Sequence, residues 1–353
     1  MRSLYTKFLT LIFVFLTTYI HSQITITVTG NLNTTPNLLA TYPNLTAALN
    51  DLNAVTVMTG PVILTCDAGT SETAPATGFT IGSASLNSVL SSTNTITINT
   101  TGGVVTINAN VGTATPASVA PDGILKLLGA DYVEINGLTF TDGNVANPAT
   151  MEYGLGLFKR AAGDGCNNNL IRNCTFNMQR INNASSSGPM FEGSVGILVI
   201  NSTPTAATTS LTPTNGGTLA TNGTNSENRF QLNTINGGNY GIGLSGFLAT
   251  TGVGPTPVAT TFLGDLNNQV GTTGRGNTIL NFGGGAATSP SAGIRANNQW
   301  GIAIVDNTID NNNGGGVNHT TTLQGIFAQA GLSASATINN NTVTIRPGPL
   351  QAV

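Results

Sequence analysis

Two short strand signatures alternate along this chain, six of each, and they interleave without exception. One is a Gly followed by apolar alternation, as in Gly154-Leu-Gly-Leu157, Gly196-Ile-Leu-Val199, Gly241-Ile-Gly-Leu244 and Gly293-Ile-Arg-Ala296. The other reads apolar-x-x-Asn-Thr-apolar, as in Phe230-Gln-Leu-Asn233-Thr-Ile235, Ile304-Val-Asp-Asn307-Thr-Ile309 and Ile338-Asn-Asn-Asn341-Thr-Val343. The Gly-led strands start at Gly123, Gly154, Gly196, Gly241, Gly293 and Gly325; the second signature starts at Ile135, Ile171, Phe230, Gly274, Ile304 and Ile338. A fixed alternation of two strand types is the mark of a solenoid, in which each repeat buries its apolar face only against its neighbours.

The spacing inside the second signature dictates a bend. Residues two apart in a strand share a face, so positions four and six point the same way and position one does not. For positions one and six both to reach the core, the chain must turn between them. The residues there are turn formers, such as Asn136-Gly137, Arg172-Asn173 and Asn339-Asn340, so each repeat is expected to run strand, two-residue bend, strand. With the Gly-led strand this makes three short strands per coil, each stacked in register on the coil before. Asn233, Asn277, Asn307 and Asn341 then recur at one inward position, where amides about 4.8 Å apart can hydrogen-bond along the stack. Cys174 takes that slot one coil earlier and Leu138 the coil before that. These Asn are expected to be structural rather than ligands.

The expected fold class is all-β, a right-handed parallel β-helix (solenoid) of roughly eight coils with a short N-terminal capping helix. The helix falls at Asn44–Leu52, with Asn44 as N-cap and Leu45, Ala48, Leu49 and Leu52 on one face. Residues 1–22 read as a signal peptide: Arg2 and Lys7 precede the apolar run Phe8 to Tyr19, with cleavage before Gln23. Residues 23–110 are assigned to N-terminal strands, capping helix and first coils, and 111–353 to the β-helix repeats, with insertions at 201–227 and 247–274 on one corner. The last residues, Pro347 to Val353, carry no capping signature, so either the chain is a fragment or the stack ends bare.

Only 7% of residues are charged, against about a quarter in ordinary globular proteins, and the formal net charge is -3 with no basic cluster. That argues against nucleic acid as a partner. Abundant Ile, Val and Thr argue against disorder. The three Cys (Cys66, Cys166, Cys174) cannot form a complete disulfide framework. Cys166 and Cys174 are near enough in sequence to bridge, and small buried thiols are the expected state.

The order helix, strand, then a segment such as Ala68-Gly69-Thr-Ser-Glu72, with the repeated Asn-Thr-apolar turns, resembles the pectin lyase-like parallel β-helix superfamily. A leader ending in Ser22-Gln23 and the Thr/Asn/Gly-rich composition are similar to β-helix proteins secreted by Bacteroidetes. The resemblance covers about residues 40–353 and is specific for fold. It implies a stack on which enzymes of the superfamily cleave polysaccharide, with carboxylate pairs for hydrolysis or a basic residue and calcium for elimination.

The residues here supply little of that chemistry. The row expected to face out on the Gly-led strands is Gly156, Leu198, Gly243, Arg295 and Phe327, provided the first coil slips by one so that Lys126 is not buried. No carboxylates pair on that row. His319 is the only His beyond the leader. The densest ionisable group is Glu152, Lys159, Arg160 and Asp164, in which Lys159 or Arg160 would be the base of a lyase and a surface salt-bridged cluster is the plainer expectation. Asp306 and Asp310 suit turns. No metal or cofactor site is expected. The two insertions are candidates to flank a shallow site beside the Gly-led strands, with two solvated surface loops and no ligand as the plainer expectation. The expected function is a secreted or cell-surface binding and adhesion module, touching polysaccharide or a cell-surface glycan, without a membrane span once the leader is removed. The alternative is a polysaccharide lyase or glycoside hydrolase.

Overall fold

A computed structural model describes residues 23–110, 122–143, 152–179, 194–207, 209–214, 221–249, 263–284, 290–313, 319, 322–329 and 331–346. The leader assigned to residues 1–22 lies outside the described residues. The chain winds into a parallel β-helix with three long sheets. Sheet 1 carries the strands before the bend, sheet 2 those after it, and sheet 3 the Gly-led strands. One coil illustrates the unit: Arg229–Gln231 in sheet 1, Thr234–Gly237 in sheet 2, Tyr240–Ser245 in sheet 3. Sheet 3 has seven strands, so seven coils close; an eighth adds Ser335–Asn339 to sheet 1 and Thr342–Thr344 to sheet 2.

Register holds from coil to coil. Leu155, Ile197, Ile242, Ile294 and Ile326 pair in succession along sheet 3, as do Phe176, Ile235, Ile279 and Ile309 along sheet 2. Like residues therefore stack on like inside the coil; the rings of Phe140 and Phe176 lie 4.8 Å apart and 7° from parallel. The expected slip in the first Gly-led strand is present. Gly123 pairs with Tyr153, not Gly154, and Lys126 with Gly156, which keeps the lysine on the outer face.

The two signatures interlock. A Cβ added to Gly154 would lie 2.7 Å from Phe176 Cδ1, and one on Gly241 would lie 2.4 Å from Ile279 Cγ2. Gly196 stands likewise against Ile235 and Gly293 against Ile309. From Gly154 on, each Gly leaves the space that the position-six side chain of the following bend signature fills; the slipped Gly123 stands against Tyr153 instead.

Two details of the bend differ from expectation. The turn is a single left-handed residue rather than two: Val133–Asn136 and Leu138–Thr141 are separated only by Gly137, with φ 82°. Asn173, Leu232, Asp306 and Asn340 take the same conformation in later coils. Gly, Asn and Asp tolerate it; Leu232 pays about 1–2 kcal/mol. Second, the fourth bend signature begins at Val270, not Gly274. Val270 pairs with Phe230 and Ile304, and residues 271–276 stand at the bend where the other coils have two residues. The insertion placed at 247–274 thus contains two short strands of sheet 1, Asp265–Leu266 and Gln269–Val270.

The N-terminal cap forms as the sequence indicates. Asn44 Oδ1 accepts from Ala47 N at 2.8 Å, and Leu45, Ala48, Leu49 and Leu52 of helix Leu45–Asn53 are buried. The Glu72 carboxylate also accepts from the N–H groups of Leu45 (2.7 Å) and Thr46 (3.2 Å), a favourable place for negative charge. Ile26–Thr29 is not part of a coil. It runs antiparallel to Val62–Cys66 and to Thr41–Tyr42, closing one end of sheet 1. In the eighth coil Ile338 and Val343 are 49% and 43% exposed where Ile304 and Ile309 one coil earlier are buried.

Candidate functional site

The recurrent Asn lie inside, as a ladder. Asn277 Oδ1 accepts from both the N–H (3.1 Å) and the side-chain amide (3.0 Å) of Asn233, while Asn277 Nδ2 donates to Phe230 O at 2.8 Å. Asn307 and Asn341 repeat the pattern, and Cys174 N donates to Asn233 Oδ1 at 3.1 Å. A second ladder, which the sequence did not disclose, runs through Asn169, Asn228, Asn268 and Gln299 at the corner between sheets 3 and 1. Both series are buried hydrogen-bonding scaffold, not ligand groups.

The Gly-led face is not the open row the sequence suggested. Gly156, Leu198 and Gly243 do point outward, but they are buried. Around them Tyr153, Phe158, Val195, Ile200, Tyr240, Ala292 and Ala207 form a second apolar cluster outside the coil. The ends of the row are partly open, at Thr80 and Lys126 in the early coils and at Arg295 and Phe327 in the later ones; the Arg295 guanidinium lies 5.3 Å from the Tyr240 ring centre and 5.6 Å from that of Phe327.

The ionisable group does not converge. Glu152 and Lys159 stand at opposite ends of the strand Tyr153–Phe158. Glu152 Oε2 accepts from Asp122 N at 2.7 Å, and burial pushes its carboxyl up to about 8. Arg160 pairs with Asp164, as expected of a surface cluster, and Asp164 also accepts from Asn87 Nδ2 at 3.2 Å. Lys159 is fully buried. Its Nζ donates to Asn201 Oδ1 at 3.0 Å, and burial lowers it to about 8 while Asp265 opposes that shift. A base must touch its substrate; Lys159 is walled off from any.

The remaining candidates are structural. His319 Nδ1 accepts from Gly284 N at 2.9 Å, and Asp306 from Gly274 N at 2.6 Å. Asp310 pairs with Arg346 at 3.2 Å. All three Cys are free and buried, with burial raising each thiol. Among the described residues no three His, Cys, Asp or Glu gather as metal ligands.

A concave site does exist where the two insertions leave sheet 3. It has a volume of about 190 Å³ and is lined by Asn201, Ser202, Ser210, Ser245 and Asn298, with Ile200, Ala207 and Leu248 as its apolar wall. Asn201 Nδ2 donates to Ser210 Oγ (2.9 Å) and Leu211 O (2.7 Å), which folds the start of the first insertion onto the corner. Gly246 lets the wall come close: a Cβ there would lie 3.3 Å from the Asp265 carboxyl carbon. Asp265 is buried, with burial pushing its carboxyl up to about 6. Two buried atoms at this corner have no protein partner, Ser202 Oγ and, next along the row from Ser245, Asn297 Oδ1. Such groups call for a ligand or ordered water.

No known protein family matches this chain, and neither a curated protein nor a solved structure does. The parallel rungs are compatible with the β-helix expected from the sequence. Among the described residues no helix is long and apolar enough to cross a membrane.

The corner's location was legible from the insertion lengths. Its residues were not, because Ser202, Ser245 and Asn298 belong to no repeated pattern in the sequence.

Proposed function

We propose that this is an exported β-helix of the pectin lyase-like kind that serves as a binding and adhesion module at the cell surface, taking a glycan at the corner between the two insertions. The observation that carries this reading is the corner pocket itself. Its polar lining is neutral hydroxyl and amide, its apolar wall suits the C–H face of a sugar ring, and Ser202 Oγ, on that lining, has no hydrogen-bond partner among the described residues. About 190 Å³ accommodates one ring rather than a chain.

A glycan array probed with the wild-type protein, Ser202→Ala and Ser245→Val tests it. Retention of a defined set of terminal sugars, weakened roughly tenfold or more in both variants, is expected from the loss of buried hydrogen bonds. No retained glycan, or equal retention by all three proteins, overturns it. A uronate-release assay on pectin and alginate runs alongside; release that follows these same substitutions replaces binding with lyase chemistry.

A further inference from the structure

The outer face of sheet 2 carries a row whose regularity the fold does not require. In successive coils Ser71, Thr106, Thr139 and Thr175 pair in register, and the pairing continues through Thr234, Thr278, Thr308 and Thr342. Every rung thus presents a hydroxyl at the same place. At about 4.8 Å per rung the row extends for about 34 Å.

β-Propensity favours Thr on a strand surface but does not hold a position to it. Sheet 1 provides the comparison within the same coils. Its outward row reads Ile63, Thr97, Glu134, Leu170, Arg229, Gln269, with Ala303 following. One outward row drifts through every chemical class while the other stays hydroxyl. Nor do the Thr hydroxyls serve the scaffold. From Thr106 to Thr342, none of the row's threonines makes a side-chain hydrogen bond within the protein.

The row also leads somewhere. Ser71, Thr73 and Asn108, at its N-terminal end, form one wall of a groove of about 610 Å³ whose other wall is Asn44, Thr46 and Asn50. The single carboxylate there, Glu72, is engaged by the helix N-terminus. The parallel row two residues on is mostly Thr and Asn, and its only charge, Asp310, is paired with Arg346. Groove and rows together form one neutral, hydrogen-bonding track.

We propose that this track binds a linear, uncharged polysaccharide lying along the coil axis, with one hydroxyl rung for each sugar ring or so and one end of the chain seated in the groove. It lies on a different sheet from the corner pocket and does not depend on it. Each contact is weak, since no aromatic platform is present on the rows, so affinity comes from many rungs engaged at once. Binding therefore grows steeply with chain length and responds little to salt.

The test is affinity electrophoresis and pull-down of the full chain on cellulose, xylan and mannan. A length series of soluble oligosaccharides and the acidic polymers pectate and alginate are run beside them. The variants are Thr175→Val/Thr234→Val/Thr278→Val, the same positions changed to Ser, and Ser202→Ala, with circular dichroism and thermal midpoints showing that each is folded. Retention on a neutral polymer, at least tenfold weaker in the Val triple, kept in the Ser triple and unaffected by Ser202→Ala, is expected. No neutral polymer retained, equal retention by the Val triple, or preference for short or acidic chains overturns it. So does inhibition of ice recrystallisation lost in the Val triple without any polysaccharide retention, which would make ordered water the ligand. Loss of array binding in Ser202→Ala alone bears only on the corner pocket.

Discussion

Replacing Asn277 with Ala removes one rung of the inner ladder and nothing from the surface. Asn277 is 1% exposed. Its Oδ1 is the acceptor for the N–H and Nδ2 of Asn233, and its Nδ2 donates to Phe230 O and to Asn307 Oδ1. The Ala variant keeps only the backbone bonds of residue 277, its N–H to Asn307 Oδ1 (2.9 Å) and its carbonyl from Thr308 N–H (2.9 Å). Asn233 N–H is left without a partner, Phe230 O keeps only the N–H of Gly271 (2.7 Å), and Asn233 Nδ2 keeps only its bond to Ile171 O. At about 1–3 kcal/mol for the one buried orphan, and roughly 0.5–1 kcal/mol for each amide bond lost at Phe230 O and Asn233 Nδ2, the loss comes to about 2–5 kcal/mol. Asn236 lies three residues on in the same coil but faces outward, and accepts one bond, from Asn281 Nδ2. Asn236→Ala should cost no more than about 1 kcal/mol. Urea unfolding followed by circular dichroism gives the two midpoints. Because a solenoid need not unfold in one step, amide exchange at Asn233 and its neighbours locates the damage. Equal losses in the two variants, or protection at Asn233 unchanged by Asn277→Ala, would refute the claim that the ladder is a main support of the fold.

Other outcomes follow from the same geometry. Gly241→Ala drives a methyl to within 2.4 Å of Ile279 Cγ2 and 2.6 Å of Gly293 O, so it lowers the unfolding midpoint; adding Ile279→Ala recovers part of the loss, and strictly additive effects in this double-mutant cycle contradict the interlock. For Glu152, burial raises the carboxyl from 4.5 to about 8, so the folded chain holds a proton that the unfolded chain has released between those values. Its contribution to stability is full below about pH 4.5 and is lost as pH rises through about 8. Glu152→Gln keeps the acceptor for Asp122 N and flattens that fall; thermal midpoints with the same pH slope as wild type rule the idea out. Cys174→Asn extends the ladder by one coil, since the thiol already receives Leu138 N–H, and should raise the urea midpoint by an amount worth about 1 kcal/mol. A lowered midpoint means that the slot is sized for sulfur.

Much of the architecture was written in the chain because stacking repeats one environment. Identical surroundings select identical residues, so the Gly column, the bend and the inner Asn ladder appear as spacing. Where spacing breaks, legibility breaks with it. Asn169 and Asn228 each precede the inner-ladder slot by the same interval, but Asn268 and Gln299 do not, because residues 271–276 and the longer strand Gln299–Val305 intervene. The second ladder was therefore invisible as a period. The same extra chain drew the fourth signature to Gly274, whose neighbours imitate the turn, and away from Val270, which enters the core. Burial of the outer Gly-led face was hidden for another reason: alternation says which way a side chain points, not whether something else covers it. The Thr row had the opposite fate. It stood in the signature itself, as the residue after each Asn, and was passed over because a surface Thr on a strand asks for no explanation until an adjacent sheet shows how freely such a position can vary.

The inner ladder also has a direction. Each side-chain oxygen takes the N–H of the coil before it, and each side-chain amide reaches back to a carbonyl of that same coil, so a coil's inward polar groups are completed by its successor. From Cys174 onward, each coil's inward backbone donor is therefore capped only by the coil that follows. Every such coil closes the open donor of the one before it and exposes a fresh one of its own. Cutting the stack at any coil between Cys174 and Asn307 therefore opens one such rung, the same small deficit at each, so this stretch shares its stability in nearly equal steps.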